Sequence, residues 1–332
     1  MRTRRLLLSL GLAAALLALL SWLGDVRPSD VGQALGRLSP RTWLLALGVH
    51  AGIYLVRATR FRLLLPRDEQ PSLPAVLACS AAHNLAAYVL PAKTGEATIV
   101  VYLRAHGVRA ASGLASLLVS RLFDLAVLAI SVGFATLALR ERLTRPELAM
   151  PLGLALLGAG VVLSAACLRP SILTGGMAWV LRRSGFDRRP IGAKLLARTD
   201  EVGGALKQAA RGGRLPLGFL TSTAIWALVF AFYAVLSRGA GLPESIDYLG
   251  ASFGSSLAVL FNLAPINGFA GFGTQEAGWS VGFQLLGIPA ALALSTGVVV
   301  HLVQLANVAL FGLAGHLAMG LSGGSEAAEL EG

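Results

Sequence analysis

Uncharged apolar runs long enough to cross a bilayer are the feature that most limits what this chain can fold into. A hydrocarbon layer about 30 Å thick is crossed by about 20 helical residues. Runs of that length lie at 6–23, 71–92, 148–168, 215–237 and 249–275, and shorter or interrupted runs lie at 42–56, 110–139 and 289–319. Helices satisfy their own backbone hydrogen bonds in lipid. We therefore predict an all-α polytopic integral membrane protein with about eight transmembrane segments.

The composition agrees with a membrane protein and argues against several other classes. Of 332 residues, 55% are hydrophobic and 14% are charged, which is more apolar than a soluble domain needs. Cys79 and Cys167 each lie in an apolar run, and no Cys/His cluster has metal-ligand spacing. No P-loop, dinucleotide fingerprint or Ser-His-Asp order is visible. We expect no metal, no cofactor, no catalytic residues and no enzymatic activity.

The distribution of basic residues predicts which loops of the chain face the cytoplasm. The connection 169–214 carries ten Lys or Arg against three acids, and such loops stay in the cytoplasm. The N-terminal arginines, and the cluster at Arg57, Arg60, Arg62 and Arg67, favour the same side. The first run lacks a small-residue cleavage site, so we expect an uncleaved first helix with a cytoplasmic N-terminus.

Within the basic loop, apolar residues recur near helical spacing from Ile191 to Leu206. This pattern fits an amphipathic helix on anionic head groups, or a solvated loop that only sets topology. The basic residues lack interleaved aromatics, so we expect no nucleic-acid partner. Residues 321–332 form a short acidic tail after one transmembrane domain, 1–320.

Two stretches of the chain resemble each other. HNLAAYVLPAKTGEA (83–97) and NLAPINGFAGFGTQEA (262–277) both combine Asn-Leu-Ala, a proline, glycine and Glu-Ala. At an offset of 180 residues, 12 of the 35 positions from 96 to 130 are identical. With the predicted orientation, the first stretch enters from the cytoplasm and the second from outside. We predict two inverted repeats, about 73–139 and 246–319, each with a re-entrant or fully spanning hairpin.

Ionisable residues lie inside the apolar segments of both repeats. Each costs at least about 2.5–3.5 kcal/mol in hydrocarbon, so we expect them to face the protein interior. Arg121 and Asp124 are spaced for an ion pair on one helix face. Glu96 and Glu276 are expected to stabilise helix starts, to exchange cations or protons, or both. For the second helix we expect Thr274 to be the N-cap.

Polar side chains and helix breakers complete the predicted site. Lys93 is a candidate phosphate contact, and His301, equivalent to Arg121, is a titratable one. Broken helices near the midplane form the sites of many secondary transporters. The candidate substrate-binding or ion-coupling residues are Asn84, Pro91, Lys93, Gly95, Glu96, Arg121, Asp124, Asn262, Pro265, Gly271, Gly273, Glu276 and His301.

At these residues the chain resembles the lysylphosphatidylglycerol synthase transmembrane-region family, also called the flippase-like domain. The resemblance rests on 91-PAKTGE-96, 121-RLFD-124, 271-GFGTQE-276 and 287-GIP-289. It implies a multi-pass protein of a bacterial or archaeal cytoplasmic membrane that moves an anionic, aminoacylated, polyprenyl-phosphate-linked or hopanoid lipid. His301 departs from the arginine expected there. We expect no soluble aminoacyl-transferase domain after Met319, and therefore no synthase activity.

We interpret the sequence as a lipid flippase or transporter that is ion-coupled or passive. Its expected partners are membrane lipids with anionic head groups, and a homo-oligomer is left open. Two alternatives remain: a scaffold that positions a lipid-modifying enzyme, and a membrane-embedded lipid transferase with Glu96 or Glu276 as base.

Overall fold

The computed structural model describes residues 27–169, 213–263 and 269–330, with the short pieces 175–176, 179 and 182–185. These residues form helices and turns, with no strand among them, which confirms the all-α prediction. The first predicted span and most of the basic loop, including its amphipathic segment, lie outside the described residues. Pro265 also lies outside them.

Ten helices within the described ranges 27–169, 213–263 and 269–330 are numbered in chain order. They are α1 (Pro28–Arg37), α2 (Pro40–Leu64), α3 (Leu73–Val89), α4 (Thr98–Arg104), α5 (Ala110–Ala138), α6 (Pro146–Cys167), α7 (Arg214–Gly239), α8 (Tyr248–Leu263), α9 (Thr274–Gln284) and α10 (Ala290–Leu330). Short 3-10 segments lie at Arg67–Glu69, Pro91–Ala97, Arg140–Arg142 and Phe269–Gly271. Serine caps begin two helices: Ser39 accepts from the Thr42 N–H and Ser72 from the Ala75 N–H.

The long apolar helices confirm a membrane protein. Among the described residues, α5, α6, α7 and the Ala290–Gly320 part of α10 are long and apolar enough to cross a bilayer. Helix α6 leaves Leu152 and Val162 52% and 69% exposed, as a lipid-facing helix does. The described residues contain four such helices, and the total of about eight segments stays a prediction.

The break predicted within the apolar run 249–275 is confirmed, because no single helix covers that run. Helix α8 ends at Leu263, and α9 begins only at Thr274. Gly271 and Gly273 between them have φ of 87° and 86°, values that favour glycine and interrupt a right-handed helix. The first repeat is broken too, since α3 ends at Val89 before the 3-10 segment that starts with Pro91.

The two broken helices form hairpins that start from opposite ends of the helix bundle. The first hairpin runs from α3 to α4. Its two ends lie together, because the Arg109 N–H after α4 donates to Glu69 Oε2 before α3 at 2.8 Å. The second hairpin runs from α8 to α9. Its end lies beside the connection between α5 and α6, where the Thr144 N–H donates to the Leu285 carbonyl at 2.9 Å. Helix α5 joins these two ends with 29 residues.

Close packing holds each hairpin against its neighbours. Helix α9 packs on α8, α10 on α3, and α7 on α2. Gly95 lies so near the backbone of Ala86 and Ala87 that a Cβ there would overlap with it. A core including Phe232, Trp279 and Phe283 fills the space between α7 and α9. The polar site lies between the two hairpins and the long helices α5 and α10.

Candidate functional site

The first hairpin is tied to helix α5 by an ion pair. Glu96, in the 3-10 segment Pro91–Ala97, accepts from the Arg121 guanidinium through Oε2. The two side chains remain 35% and 46% exposed, so this pair is open to its surroundings. Arg121 Nη1 also lies 3.8 Å from Asp124 Oδ2, which is the predicted ion pair within one helix.

Asp124 has a stronger partner on another helix. Arg60 of α2 donates to both carboxylate oxygens, with Nη2 3.1 Å from Oδ2. Arg60 Nη1 also donates to the Ser222 hydroxyl of α7 at 2.7 Å. Arg60 is 1% exposed, so this bidentate pair crosses the interior of the bundle.

Arg57, one turn before Arg60 on α2, lies beside the same cluster. Its Nη1 donates to Asn84 Oδ1 at 3.1 Å, and Asn84 Nδ2 donates in turn to the Tyr54 hydroxyl at 2.7 Å. The guanidinium carbon lies 5.9 Å from the centre of the Tyr54 ring. Within the described part of the chain, Arg57 forms no ion pair with a carboxylate. An amide and an aromatic ring leave its charge uncompensated.

The second hairpin is tied to helix α10 by a matching contact. His301 Nδ1 lies 2.5 Å from Glu276 Oε1, and both side chains are fully buried. Glu276 Oε2 accepts from the Gly273 N–H at 2.7 Å, so the carboxylate also caps α9. The predicted N-cap Thr274 is wrong: Gly273 is the N-cap, and the Thr274 hydroxyl donates to the Gly271 carbonyl.

The two contacts occupy equivalent positions. In each half, the carboxylate lies 25 residues before its basic partner, and the 180-residue offset relates Glu96 to Glu276 and Arg121 to His301. The same offset relates Asp124 to Gln304. The halves therefore share a pattern but differ in charge, since ionic side chains in the first are replaced by His301 and Gln304 in the second.

Gln304 is the centre of a neutral network. Its Oε1 accepts from the Tyr233 hydroxyl at 3.1 Å and from Gln275 Nε2 at 2.9 Å. Its Nε2 donates to the Tyr88 hydroxyl of the first hairpin. Gln275 Oε1 lies 3.4 Å from Asn262 Nδ2. Amides and hydroxyls from both halves thus meet without a charged group among these five side chains.

A cavity of about 410 Å³ lies between these networks. This volume falls within the range of small-molecule sites, about 300–1,000 Å³. Its polar lining residues are His50, Arg57, Asn84, Tyr88, Glu96, Arg121, Asp124, Trp226, Tyr233, Asn262, Gln275 and Gln304. Val89 and Leu125 also line it and are 45% and 41% exposed, so the cavity has an apolar side opening.

Two side chains that line the cavity carry a buried nitrogen without a hydrogen-bond partner among the described residues, His50 Nδ1 and Trp226 Nε1. A third such nitrogen is Nε of Arg60, the buried partner of the lining residue Asp124. Buried donors without acceptors cost free energy, commonly about 1–3 kcal/mol each. Arg60 Nε and Trp226 Nε1 carry hydrogen in every protonation state of the chain at neutral pH. The cavity is therefore short of acceptors and suited to a ligand that brings oxygen atoms.

The structure brings most of the predicted site residues together. Asn84, Glu96, Arg121, Asp124, Asn262 and Gly271 line the cavity, while Gly95, Gly273, Glu276 and His301 lie behind its wall. The side chains of Pro91 and Lys93 and the whole of Pro265 lie outside the described residues. The phosphate contact predicted for Lys93 stays a prediction.

Sequence reasoning did not include Arg57 and Arg60 in the candidate site and missed the neutral network. Both arginines were interpreted as cytoplasmic charges that set topology, but Arg57 lines the cavity and Arg60 is buried. Their position inside the 25-residue helix α2, with apolar neighbours on both sides, was the available signal. Gln275 and Gln304, amides within apolar runs, carried a similar signal.

Comparison with known proteins agrees with this architecture. The family described as Lysylphosphatidylglycerol synthase TM region matches residues 6–312. The chain belongs to this family. Membership confirms the resemblance noted in the sequence and supports a membrane function related to lipids.

One curated relative corrects an expectation. Glycosyltransferase AglD of Haloferax volcanii is 27% identical over 354 aligned positions, which cover 96% of this chain. The chain spans 55% of the length of that relative. We expected no enzymatic activity, and that prediction is wrong on this comparison, because the homologue is named for an enzymatic activity.

Proposed function

We propose that this member of the family binds the phosphate of a membrane lipid in the cavity and moves the lipid between leaflets. The observation that carries the proposal is the surplus of cationic donors at the cavity. Arg57, Arg60 and Arg121 face two carboxylates, Glu96 and Asp124, which leaves one uncompensated positive charge among these residues. A lipid phosphate supplies both the missing charge and the missing acceptors.

The phosphate would compete with Glu96 for Arg121. Arg57 offers an uncompensated guanidinium in the same cavity, so both arginines can contact one anion. Binding there would release Glu96 and with it the 3-10 segment Pro91–Ala97 from helix α5. Ligand binding would thus be linked to movement of the first hairpin, because the same guanidinium cannot satisfy both acceptors fully.

The apolar opening fits a lipid. Val89 and Leu125 are both exposed and part of the cavity lining. A head group can enter between them while its chains remain in the surrounding hydrocarbon. The cavity then needs to enclose only the polar part of the lipid, for which 410 Å³ is sufficient.

If the two halves are inverted repeats, the second hairpin can make the same movement as the first hairpin, but toward the opposite face of the membrane. The pair Glu96–Arg121 is open to the cavity here, whereas Glu276–His301 is fully buried. Opening the second pair while the first closes would expose the site to the opposite leaflet, as in alternating access. We expect this exchange in the cytoplasmic membrane of a bacterium or archaeon, with the loop 169–214 on the cytoplasmic side.

A second candidate is glycosyl transfer to or from a membrane lipid. It is favoured by the similarity to the Haloferax relative, which is named as a glycosyltransferase. Among the described residues that line the cavity, Glu96 and Asp124 are the carboxylates that could act on a bound lipid, after release from Arg121 and Arg60.

Leaflet exchange in liposomes separates the two candidates. The purified chain is reconstituted with phospholipids that carry a fluorophore on the acyl chain, and dithionite bleaches only the outer leaflet. We expect protein-dependent loss of the protected fraction for a phosphate-bearing lipid. No exchange in liposomes that contain folded protein would contradict transport, and a new glycolipid formed from added sugar donors would support the transferase.

A further inference from the structure

We infer that the cavity accepts a lipid phosphodiester whose head group is an uncharged polyhydroxyl, either a sugar or glycerol, and excludes aminoacylated lipids. This inference rests on the proposed function and names its substrate class. It follows from the different chemistry of the two cavity walls.

The first wall has no net negative charge for an ammonium group, even after a phosphate displaces Glu96 from Arg121, because three arginines face two carboxylates and that one phosphate. Glu96 is engaged by Arg121, and both oxygens of Asp124 accept from Arg60. An aminoacyl head group would bring one or two further positive charges to a cluster that already holds one in excess. Like charges at short range in a poorly hydrated cavity repel strongly. This wall selects for an anion and against a cation.

The second wall is neutral and rich in groups that pair with hydroxyls. Tyr88 accepts from Gln304 Nε2 and keeps its own proton for another acceptor. Tyr233 donates to Gln304 Oε1 and keeps its lone pairs. Trp226 adds an indole N–H that has no acceptor in the described part of the chain. Hydroxyl groups both donate and accept, so they match this mixture better than a charged group does.

The divergence between the halves produces this two-part cavity. At the positions of Arg121 and Asp124, the second half carries His301 and Gln304. His301 is turned into the closed pair with Glu276, and Gln304 faces the cavity. One half therefore supplies the site for the phosphate, and the other supplies the site for the group attached to it.

The test compares four lipids in the same exchange assay, each labelled on the apolar chain so that the head group is unaltered. They are phosphatidylglycerol, a polyprenyl phosphohexose, lysylphosphatidylglycerol and an unsubstituted polyprenyl phosphate. We expect phosphatidylglycerol or the phosphohexose to exchange at least tenfold faster than lysylphosphatidylglycerol. The faster of the two identifies glycerol or sugar as the preferred group.

Tyr88→Phe tests the neutral wall. We expect it to slow exchange of the preferred polyhydroxyl lipid about tenfold and to leave the unsubstituted phosphate unaffected. Tyr102→Phe is the matched control, since the Tyr102 hydroxyl contacts His316 and does not line the cavity. Equal effects of the two variants would overturn the role of the wall.

The outcomes distinguish this inference from the proposed function. Exchange of lysylphosphatidylglycerol at the rate of phosphatidylglycerol would overturn the inference and leave lipid transport standing. Absence of exchange for all four lipids would overturn the proposed function itself.

Discussion

Replacing Asp124 with asparagine is expected to lower the free energy of unfolding by about 3–5 kcal/mol. The substitution leaves Arg60 without its carboxylate at a position that is 1% exposed. A buried charge that loses its partner costs far more than a surface ion pair contributes. Equilibrium unfolding in detergent micelles measures the difference.

Two comparisons make this result specific. Asp68→Asn is the matched control, because Asp68 is exposed and outside the bundle. The double variant Arg60→Met with Asp124→Leu removes both charges and should recover most of the lost stability, since buried ion pairs can often be replaced by apolar side chains. Equal stability of wild type and Asp124→Asn would contradict the assignment of this pair.

Replacing Glu276 with glutamine is expected to reduce lipid exchange at least tenfold while the protein remains folded. His301 lies between two acceptors, Glu276 Oε1 at 2.5 Å and the Ala270 carbonyl at 3.2 Å. A carbonyl only accepts, so Nε2 must donate to it. The contact at Nδ1 then needs a second proton, on His301 or on Glu276.

One hydrogen therefore lies in the contact between His301 and Glu276, and we propose that opening of the pair is coupled to its loss. A glutamine can still accept from the Gly273 N–H and can donate to His301 Nδ1, so the contact stays intact without a dissociable proton. We expect the variant to lose the response of exchange to an imposed pH gradient. Glu244→Gln, in an exposed turn, is the matched control. A wild-type rate and gradient response in Glu276→Gln would exclude this pair from coupling.

Local sequence signals were sufficient to predict the long helices and the positions at which they break. Long apolar runs predicted α5, α6 and α7 within a few residues, because membrane helices must satisfy their own backbone groups. Pro91 marked the break in the first half. In the second half, the run 249–275 was long and uncharged enough for a span, but Gly271 and Gly273 within it predicted a break. Glycines with positive φ decided the actual conformation.

The site was harder to predict because its partners are distant in sequence. Arg60 and Asp124 are separated by 64 residues, and Tyr88 and Gln304 by 216. No spacing rule along one helix identifies such pairs, so Asp124 was assigned only to its near neighbour Arg121. The cluster from Arg57 to Arg67 shows why basic residues near a helix end are ambiguous. Such residues can set the membrane topology or bind an anionic ligand, and the sequence looks the same in both cases.

We propose that Arg57 holds the lipid phosphate, and the exchange rate of Arg57→Met tests this role. A hydrogen bond to a charged group contributes about 1.5–3 kcal/mol, so loss of this guanidinium should slow exchange by about tenfold or more. Arg41→Met, on the exposed start of the same helix, should exchange at the wild-type rate. Equal rates in the two variants would contradict the proposed phosphate site.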